Sequence, residues 1–273
     1  MVPAQFEDRL TPQGTMDGQT SQTASIRDFP ASGWSRIGML TPSSNTTLEP
    51  YTSAMLAAFY GRATAHFGRF RVTEISMSEA SRTQFETAPI LEAARSLADA
   101  RVDAIAWNGT SAGWLGFDKD EQLCELIQRE TGIPATSSML ALNDILARIG
   151  ASRMALVTPY LSEIQDRIIA NYRNAGIEIV ADRRLEDRGN FSFAEYSPEK
   201  IADMVRDVAV SRPDAIAIVC TNFRGAPIVA ALEEELGIMV LDSVSVALWA
   251  TIRLCGLDPK QITGWGRLFR EVA

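Results

Sequence analysis

Apolar and polar residues follow two different periodic patterns along the chain from Arg36 onward. Short runs rich in apolar and β-branched residues predict strands, and longer stretches with an apolar position every three or four residues predict helices. The first part of the chain contains the predicted strands RIGML, RVTEISM and DAIAWN and the predicted helices TLEPYTSAMLAAFYG, PILEAARSLADA and DKDEQLCELIQRETG. This alternation of strands and helices is typical of parallel βαβ units.

The second part of the chain repeats the same order of elements. Its predicted strands are RMALVTP, IEIVADRRL and DAIAIVC, and its predicted helices are LSEIQDRIIANYRNAG, SPEKIADMVRDVAVSR and GAPIVAALEEELG. The segment DAIAWNGTSAG at 103–113 corresponds to DAIAIVCTNFR at 214–224, and TGIPATSS at 131–138 corresponds to LGIMVLDS at 236–243. The sequence therefore predicts an α/β protein that arose by tandem duplication, with two pseudosymmetric Rossmann-like halves.

The duplication also predicts domain boundaries. We expect a first α/β half over residues 34–151, completed by 256–273, and a second half over 152–255. Residues 1–33 are rich in Thr, Gln, Ser, Asp and Pro without an apolar period, which predicts a flexible or loosely docked extension. Two such halves are expected to face each other about a pseudo-twofold axis, with a ligand-binding cleft where the carboxyl ends of both sheets meet.

Gly109 and Cys220 occupy equivalent positions in the two copies, each after a strand and before a helix. We expect Cys220 to face, across the shared cleft, a space left by the missing side chain at Gly109. A thiol near a helix N-terminus has a lowered pKa, so we also expect Cys220 to exchange protons with carbon. Cys124 and Cys255 fit the ordinary pattern of a small buried side chain.

Short polar side chains follow both of these strands. They suit an oxyanion, although helix capping alone explains such residues as well. The candidates beside Gly109 and Cys220 are Thr110, Ser111, Thr221 and Asn222. The loops after the first strand of each half place Ser44, Asn45 and Tyr160 at the same rim, where an amide or phenol can bind a second oxygen.

Composition excludes several classes of function. The formal net charge of −8 argues against a nucleic-acid partner, and three widely spaced cysteines with a single histidine, His66, indicate neither a disulfide framework nor a zinc site. No apolar run is long enough to span a membrane, and we expect a cytoplasmic protein without a cofactor. GTSAG matches the G-x-S-x-G pattern of serine hydrolases, but the histidine that should follow the serine is missing, and His66 is expected at the surface or at a helix end.

With these residues placed, the chain from Arg36 to Phe269 resembles the aspartate/glutamate racemase superfamily, and within it the maleate isomerase and arylmalonate decarboxylase branch. TPSSNTTLEP resembles the first loop of maleate isomerases, whereas GTS at 109–111 and GWGRLF at 264–269 resemble the decarboxylase. The resemblance implies two four-stranded parallel sheets with the site between them. It also implies that Asn45 binds a substrate carboxylate and, more loosely, that Asn190 contributes to binding.

The resemblance leaves three functions open. Related racemases use one cysteine from each half, and maleate isomerases add the first cysteine to the double bond, but glycine at 109 can do neither. It therefore implies a decarboxylase of a malonate-type acid in which Thr110, Ser111 and Tyr160 form a dioxyanion hole, Cys220 protonates the enediolate, and Trp107 or Trp114 lines an apolar pocket. The alternatives are a maleate-type isomerase or related racemase acting on a small dicarboxylate, and a carboxylate-binding protein without catalysis. Homo-oligomerisation is plausible for this fold.

Overall fold

Two parallel four-stranded sheets form the centre of the protein. The computed structural model describes residues 33–72 and 87–273, so the extension predicted at 1–33 lies almost wholly outside the described residues. The strand order is β2-β1-β3-β4 in the first sheet and β6-β5-β7-β8 in the second. The strands are β1 (Ser35–Pro42), β2 (Ala63–Phe70), β3 (Ala104–Trp107), β4 (Ala135–Ser137), β5 (Arg153–Thr158), β6 (Glu178–Arg184), β7 (Ala215–Ile218) and β8 (Met239–Asp242). The predicted α/β class and the two four-stranded sheets are confirmed.

Helices flank both sheets and form most of the connections between consecutive strands. The helices of the described residues are α1 (Leu48–Leu56), α2 (Thr87–Asp99), α3 (Ala112–Leu115), α4 (Asp118–Thr131), α5 (Ser138–Arg148), α6 (Ser162–Asn174), α7 (Pro198–Ala209), α8 (Val229–Leu236), α9 (Ser243–Leu254) and α10 (Leu268–Glu271). Short 3-10 turns lie at Ala57–Phe59, Ser192–Glu195, Ala226–Ile228 and Pro259–Gln261. The six helices that the apolar pattern predicts are all present, within a few residues at their ends.

The second strand lies earlier in the chain than predicted. The structure has β2 at Ala63–Phe70, whereas the pattern placed a strand at 71–77, of which 73–77 lie outside the described residues. The strand was missed because alanine and glycine, which have low strand propensity, occupy three of its eight positions, whereas RVTEISM is richer in β-branched residues. His66 is therefore not at a helix end: it lies within β2, opposite Gly38 of β1, with Nε2 3.0 Å from Thr64 Oγ1.

The two halves are joined by helices that occupy equivalent positions in the duplication. Helix α5 follows β4 and helix α9 follows β8, and the two pack against each other. Helix α9 also packs against β3 and β4 of the first sheet, and α3 of the first half packs against α6 of the second. These helix contacts hold the two halves together, so that the carboxyl ends of the two sheets lie on the same side of the protein. The domain boundaries at 151/152 and 255/256 stay predictions.

Candidate active site

Turns from both halves meet where the central strands end. Thr110 follows β3 and Tyr160 follows β5, and Thr110 Oγ1 lies 2.6 Å from the Tyr160 hydroxyl. Tyr160 in turn hydrogen-bonds the thiol of Cys220, which lies two residues past β7. Because parallel strands end at the same edge of a sheet, the duplication brings these three side chains together although they are distant in sequence. All three are buried.

Cys220 lies at the centre of this cluster, and its pKa shifts in the direction opposite to the prediction. The side chain is 3 % exposed, and burial raises the pKa of the thiol to about 12. The backbone amide of Asn222 and the Tyr160 hydroxyl both donate to the sulfur and oppose this rise, whereas the nearby carboxyl group of Asp242 adds to it. The expected lowering of the pKa is therefore wrong: desolvation outweighs the local donors, and the thiol is protonated at neutral pH.

The predicted oxyanion donors Thr110 and Ser111 lie in the tight turn between β3 and α3. Both are buried, and the carbonyl oxygens of Thr110 and Ser111 accept from Gly113 and Trp114 at 3.0 and 3.1 Å, which fixes the turn. Trp114 packs edge-on against Tyr160 with ring centroids 5.3 Å apart. The hydroxyls of Thr110 and Tyr160 are thus held side by side on one wall of the site.

A second group of predicted residues forms a hydrogen-bond network between the halves. Asn45 Nδ2 donates to Thr221 Oγ1 at 3.1 Å, and Asn45 Oδ1 accepts from the amides of Thr47 and Leu48 at 3.0 and 2.9 Å. Thr221 Oγ1 donates to the carbonyl of Asn108 at 3.0 Å. Asn45 therefore both caps the start of α1 and holds the loop that follows Cys220, so both the binding and the capping interpretation have a structural basis.

Asn222 and Asn190 extend this network across the rim. Asn222 Oδ1 accepts from the amides of Thr46 and Thr47 at 2.8 and 3.3 Å, and Asn222 Nδ2 donates to the carbonyl of Asn190. Asn190 Nδ2 donates to Ser44 Oγ at 2.9 Å. The side chains of Asn45, Asn222 and Asn190 are each at most 6 % exposed. The structure thus joins five of the predicted binding residues by hydrogen bonds, Ser44, Asn45, Asn190, Thr221 and Asn222, and their roles stay predictions.

The space beside Gly109 is not empty. A Cβ atom added at Gly109 would lie 2.2 Å from Cζ2 and 2.4 Å from Cε2 of Trp107. Trp107 is 1 % exposed, and its Nε1 donates to Asp120 Oδ1 at 3.0 Å. The expectation that the missing side chain leaves a vacant space at Gly109 is therefore wrong, because the indole ring of Trp107 lies where a Cβ at 109 would be.

Asp120 is a residue that the sequence analysis missed, because it reads as one of several acids at the start of α4. Burial raises its pKa to about 7, and hydrogen bonds from Ser137 and Trp107 oppose the shift. Asp120, Trp107 and Ser111 border a cavity of about 250 Å³ whose other walls include Leu115 and Leu123. Ser111 thus belongs both to the candidate oxyanion site and to a cavity that apolar and polar side chains line together.

Across residues 33–72 and 87–273, no three His, Cys, Asp or Glu side chains are arranged to hold a metal ion. The expected absence of a cofactor stays a prediction. Within those ranges, no helix has the length and apolar character needed to cross a bilayer.

Comparisons with known proteins point to one family. The chain is 28 % identical to the maleate isomerase of Geobacillus stearothermophilus over 234 residues, covering 81 % of this chain and 92 % of the relative. It is 25 % identical to the arylmalonate decarboxylase of Bordetella bronchiseptica over 185 residues, covering 67 % of this chain and 77 % of the relative.

A solved structure of similar fold agrees with these relatives. The Nocardia farcinica maleate cis-trans isomerase, in a cysteine-to-serine mutant with a covalently bound succinylcysteine intermediate, superposes with a TM-score of 0.80 at 25 % identity, covering 88 % of this chain and 100 % of that one. A family model described as arylmalonate decarboxylase matches residues 20–269. With that match over most of its length and with the two-sheet fold, the chain belongs to the arylmalonate decarboxylase family.

Proposed function

We propose that this protein is a cofactor-independent decarboxylase of a malonate-type acid, in which Cys220 is the only proton donor to carbon. The substrate class is a malonate with an apolar substituent on the carbon between the two carboxylates. One carboxylate leaves as carbon dioxide and the other is held as an enediolate. The product is a monocarboxylic acid with the new hydrogen on one face.

The protonated state of Cys220 carries this proposal. A thiol with a pKa of about 12 keeps its proton at neutral pH, so it is suited to donate that proton and poorly suited to attack as a thiolate. Gly109, at the equivalent position of the first half, has no group to transfer a proton. Protonation of a carbanion on one face requires a single proton donor, and Cys220 provides it.

The mechanism needs no reactant other than the substrate and water, which supplies the proton that is consumed. The bond between the α-carbon and one carboxylate breaks, carbon dioxide leaves, and the electron pair passes into the remaining carboxylate to form an enediolate. The α-carbon then takes the proton of the Cys220 thiol, and the thiolate recovers a proton from water. Because a thiolate is costly in this buried position, its reprotonation is favourable.

The hydroxyls of Thr110 and Tyr160, with Ser111 and the amides of the turn, act as donors to the two enediolate oxygens. Burial raises the pKa of Tyr160 well above its ordinary value, so the phenol stays neutral and can donate. Donors fixed before the reaction stabilise the charge that develops in the transition state. Asn45 and Asn222 orient the loops that carry these donors and the thiol.

The cavity beside Ser111 supports an apolar substituent on the substrate. Its volume of about 250 Å³ and its lining by Trp107, Leu115 and Leu123 suit a ring or a branched alkyl group. A leaving carboxylate near such a surface loses hydration, which favours loss of carbon dioxide. A small dicarboxylate alone would leave this cavity unused.

Maleate isomerisation is the second candidate, supported by the similarity to maleate isomerases and by the position of Asn45. It would require Cys220 to act as a nucleophile, since Gly109 cannot. The third candidate is carboxylate binding without turnover. The cytoplasmic location and homo-oligomerisation stay predictions.

Proton NMR in D₂O separates these candidates. The purified full chain is incubated with 2-methyl-2-phenylmalonate and, separately, with maleate. We expect 2-phenylpropanoate with deuterium at the α-carbon and one enantiomer in excess, and no fumarate. Fumarate formation without decarboxylation would replace the proposal by isomerisation. Saturable binding of 2-methyl-2-phenylmalonate without turnover of either compound would favour the binding protein.

A further inference from the structure

The space that a side chain at 109 would need is occupied by a side chain from two residues earlier in the chain. An added Cβ at Gly109 would overlap three ring atoms of Trp107, at 2.2, 2.4 and 2.9 Å. Real Cβ atoms do not approach other heavy atoms this closely, so any side chain at 109 requires the indole to move. Trp107 therefore requires glycine at 109, because any side chain there would overlap its indole ring.

The indole of Trp107 is held on several sides. It is 1 % exposed, its Nε1 donates to Asp120 at 3.0 Å, and its ring packs against Phe70 with centroids 5.0 Å apart. Asp120 is itself 2 % exposed in the first turn of α4. Moving the ring would break a buried hydrogen bond and open a gap in the core, both of which are costly.

We infer that Trp107 is a specificity-determining residue: its indole takes the volume of a second acid–base side chain and limits the site to proton transfer from Cys220. Asp120 is the positioning residue that holds the ring there. The edge of the ring that faces Gly109 consists of carbon atoms around Cζ2, which cannot donate a proton. The catalytic part of this inference rests on the proposed function, whereas the steric part does not.

The steric part is tested by thermal unfolding of a double-mutant cycle. Gly109→Ala should lower the Tm by about 5 °C or more in the natural sequence, because it overpacks the core. In the Trp107→Leu background the same change should lower it by less than about 2 °C. The cycle is repeated with Trp107→Phe, a smaller truncation that keeps a ring in the core.

Gly113 provides the matched control for this cycle. It is the second glycine of GTSAG, and a Cβ there would lie 3.3 Å from the flexible end of Met139 and at ordinary contact distance, 3.5 Å, from Cγ1 of Ile168. Gly113→Ala should therefore change the Tm by less than about 2 °C. A Gly109→Ala variant as stable as Gly113→Ala, or an equal loss in both Trp107 backgrounds, would overturn the inference.

The positioning role of Asp120 has its own readout. Asp120→Asn keeps an oxygen acceptor for Trp107 Nε1 and should preserve the full cost of Gly109→Ala. Asp120→Ala removes the acceptor and should reduce that cost by at least half, because the ring gains freedom to move. An identical cost in both backgrounds would show that Asp120 does not hold the ring.

The catalytic part is tested with a second thiol. In Trp107→Leu/Gly109→Cys, one sulfur can take the α-proton of 2-phenylpropanoate while the other returns a deuteron to the opposite face. We expect one enantiomer to racemise with deuterium incorporation in D₂O, and Gly109→Cys alone to racemise it at least about tenfold more slowly. Equal or faster racemisation by Gly109→Cys alone, or none by the double variant, would overturn this part.

Failure of the proposed function and failure of the inference about Trp107 give different results. If the natural sequence does not decarboxylate 2-methyl-2-phenylmalonate, the proposed function fails while the Tm cycle still decides whether Trp107 excludes a side chain at 109. If decarboxylation occurs and the cycle shows no coupling, the proposed function stands and the inference fails.

Discussion

Gly109 and Cys220 hold equivalent positions in the two halves, and at the scale of single residues their neighbours decide what each can do. Burial of Cys220 raises the pKa of its thiol more than the neighbouring donors lower it, and Gly109 lies against the ring of Trp107. The sequence predicted the pair and its asymmetry. It did not predict the sign of the pKa shift or the filled space, because both depend on how deeply the turns are buried and on where a side chain at a strand end points.

The pH dependence of cysteine alkylation tests whether the pKa of the Cys220 thiol is raised. With a pKa of about 12, its thiolate fraction at pH 8 is roughly 10⁻⁴. We expect the iodoacetamide rate at Cys220, followed by peptide mass spectrometry, to rise about tenfold per pH unit from pH 7 to 10 without a plateau. The same peptides in urea provide the control, and a plateau near pH 8 in the folded protein would contradict the assignment.

Asp120 leads to a prediction about stability and pH. Its pKa is raised from 3.8 to about 7 in the folded protein. Between these values the folded state keeps a proton that the unfolded state releases, so its contribution to stability is present below about pH 4 and is lost as the pH rises to about 7.

Urea unfolding of the natural sequence and of Asp120→Asn at pH 4.5 and pH 8 measures this effect. The free energy of unfolding of the natural sequence should fall relative to the variant as the pH rises. Other carboxyl groups are present in both proteins and cancel in the comparison. A difference that is independent of pH, or that grows in favour of the natural sequence, would contradict the shift.

At the scale of elements, the duplication extends to how helices begin. Ser137 Oγ accepts from the Leu140 amide at the start of α5, and Asp242 Oδ1 accepts from Val244 and Ser245 at the start of α9. These residues are equivalent in TGIPATSS and LGIMVLDS. The helices with a strong apolar period were predictable from sequence, whereas β2 was not, because alanine and glycine at three of its eight positions weaken the strand pattern.

The equivalence of the two caps predicts the outcome of substitutions at Asp242. Asp242→Ser installs the residue used in the first half and should cost less than about 1 kcal/mol of unfolding free energy, whereas Asp242→Ala should cost about 1–2 kcal/mol because buried amides of α9 lose their acceptor. Urea unfolding at pH 8 compares the three proteins. Equal losses for Ser and Ala would show that capping is not the role of this side chain.

At the scale of the whole molecule, buried amide side chains join the halves around the site. Asn222 accepts from the loop after β1 and donates to the loop that carries Asn190, so three loops from both halves share one side chain. The alternation of elements and the repeat predicted two sheets and the residues at their shared edge. The partners of each asparagine were not predictable, because they depend on the relative placement of the halves.

The network predicts a large effect of Asn222→Ala on the whole molecule. Removing this side chain leaves buried amides of Thr46 and Thr47 without their acceptor, and we expect a loss of about 2–3 kcal/mol in unfolding free energy. The matched control is Asn174→Ala at the exposed end of α6, which should change it by less than about 0.5 kcal/mol. Equal effects of the two substitutions in urea unfolding would show that the hydrogen bonds of Asn222 do not stabilise the protein.

The measurement that tests the central claim most directly is carbon dioxide release from 2-methyl-2-phenylmalonate by Cys220→Ala, set beside Cys124→Ala, which removes a buried thiol from α4 outside the site. With the fold of both variants verified by circular dichroism, we predict a loss of roughly 10²–10⁴-fold for Cys220→Ala and near-natural activity for Cys124→Ala. A Cys220→Ala variant that releases carbon dioxide at the natural rate and yields the same excess of one enantiomer would contradict the account.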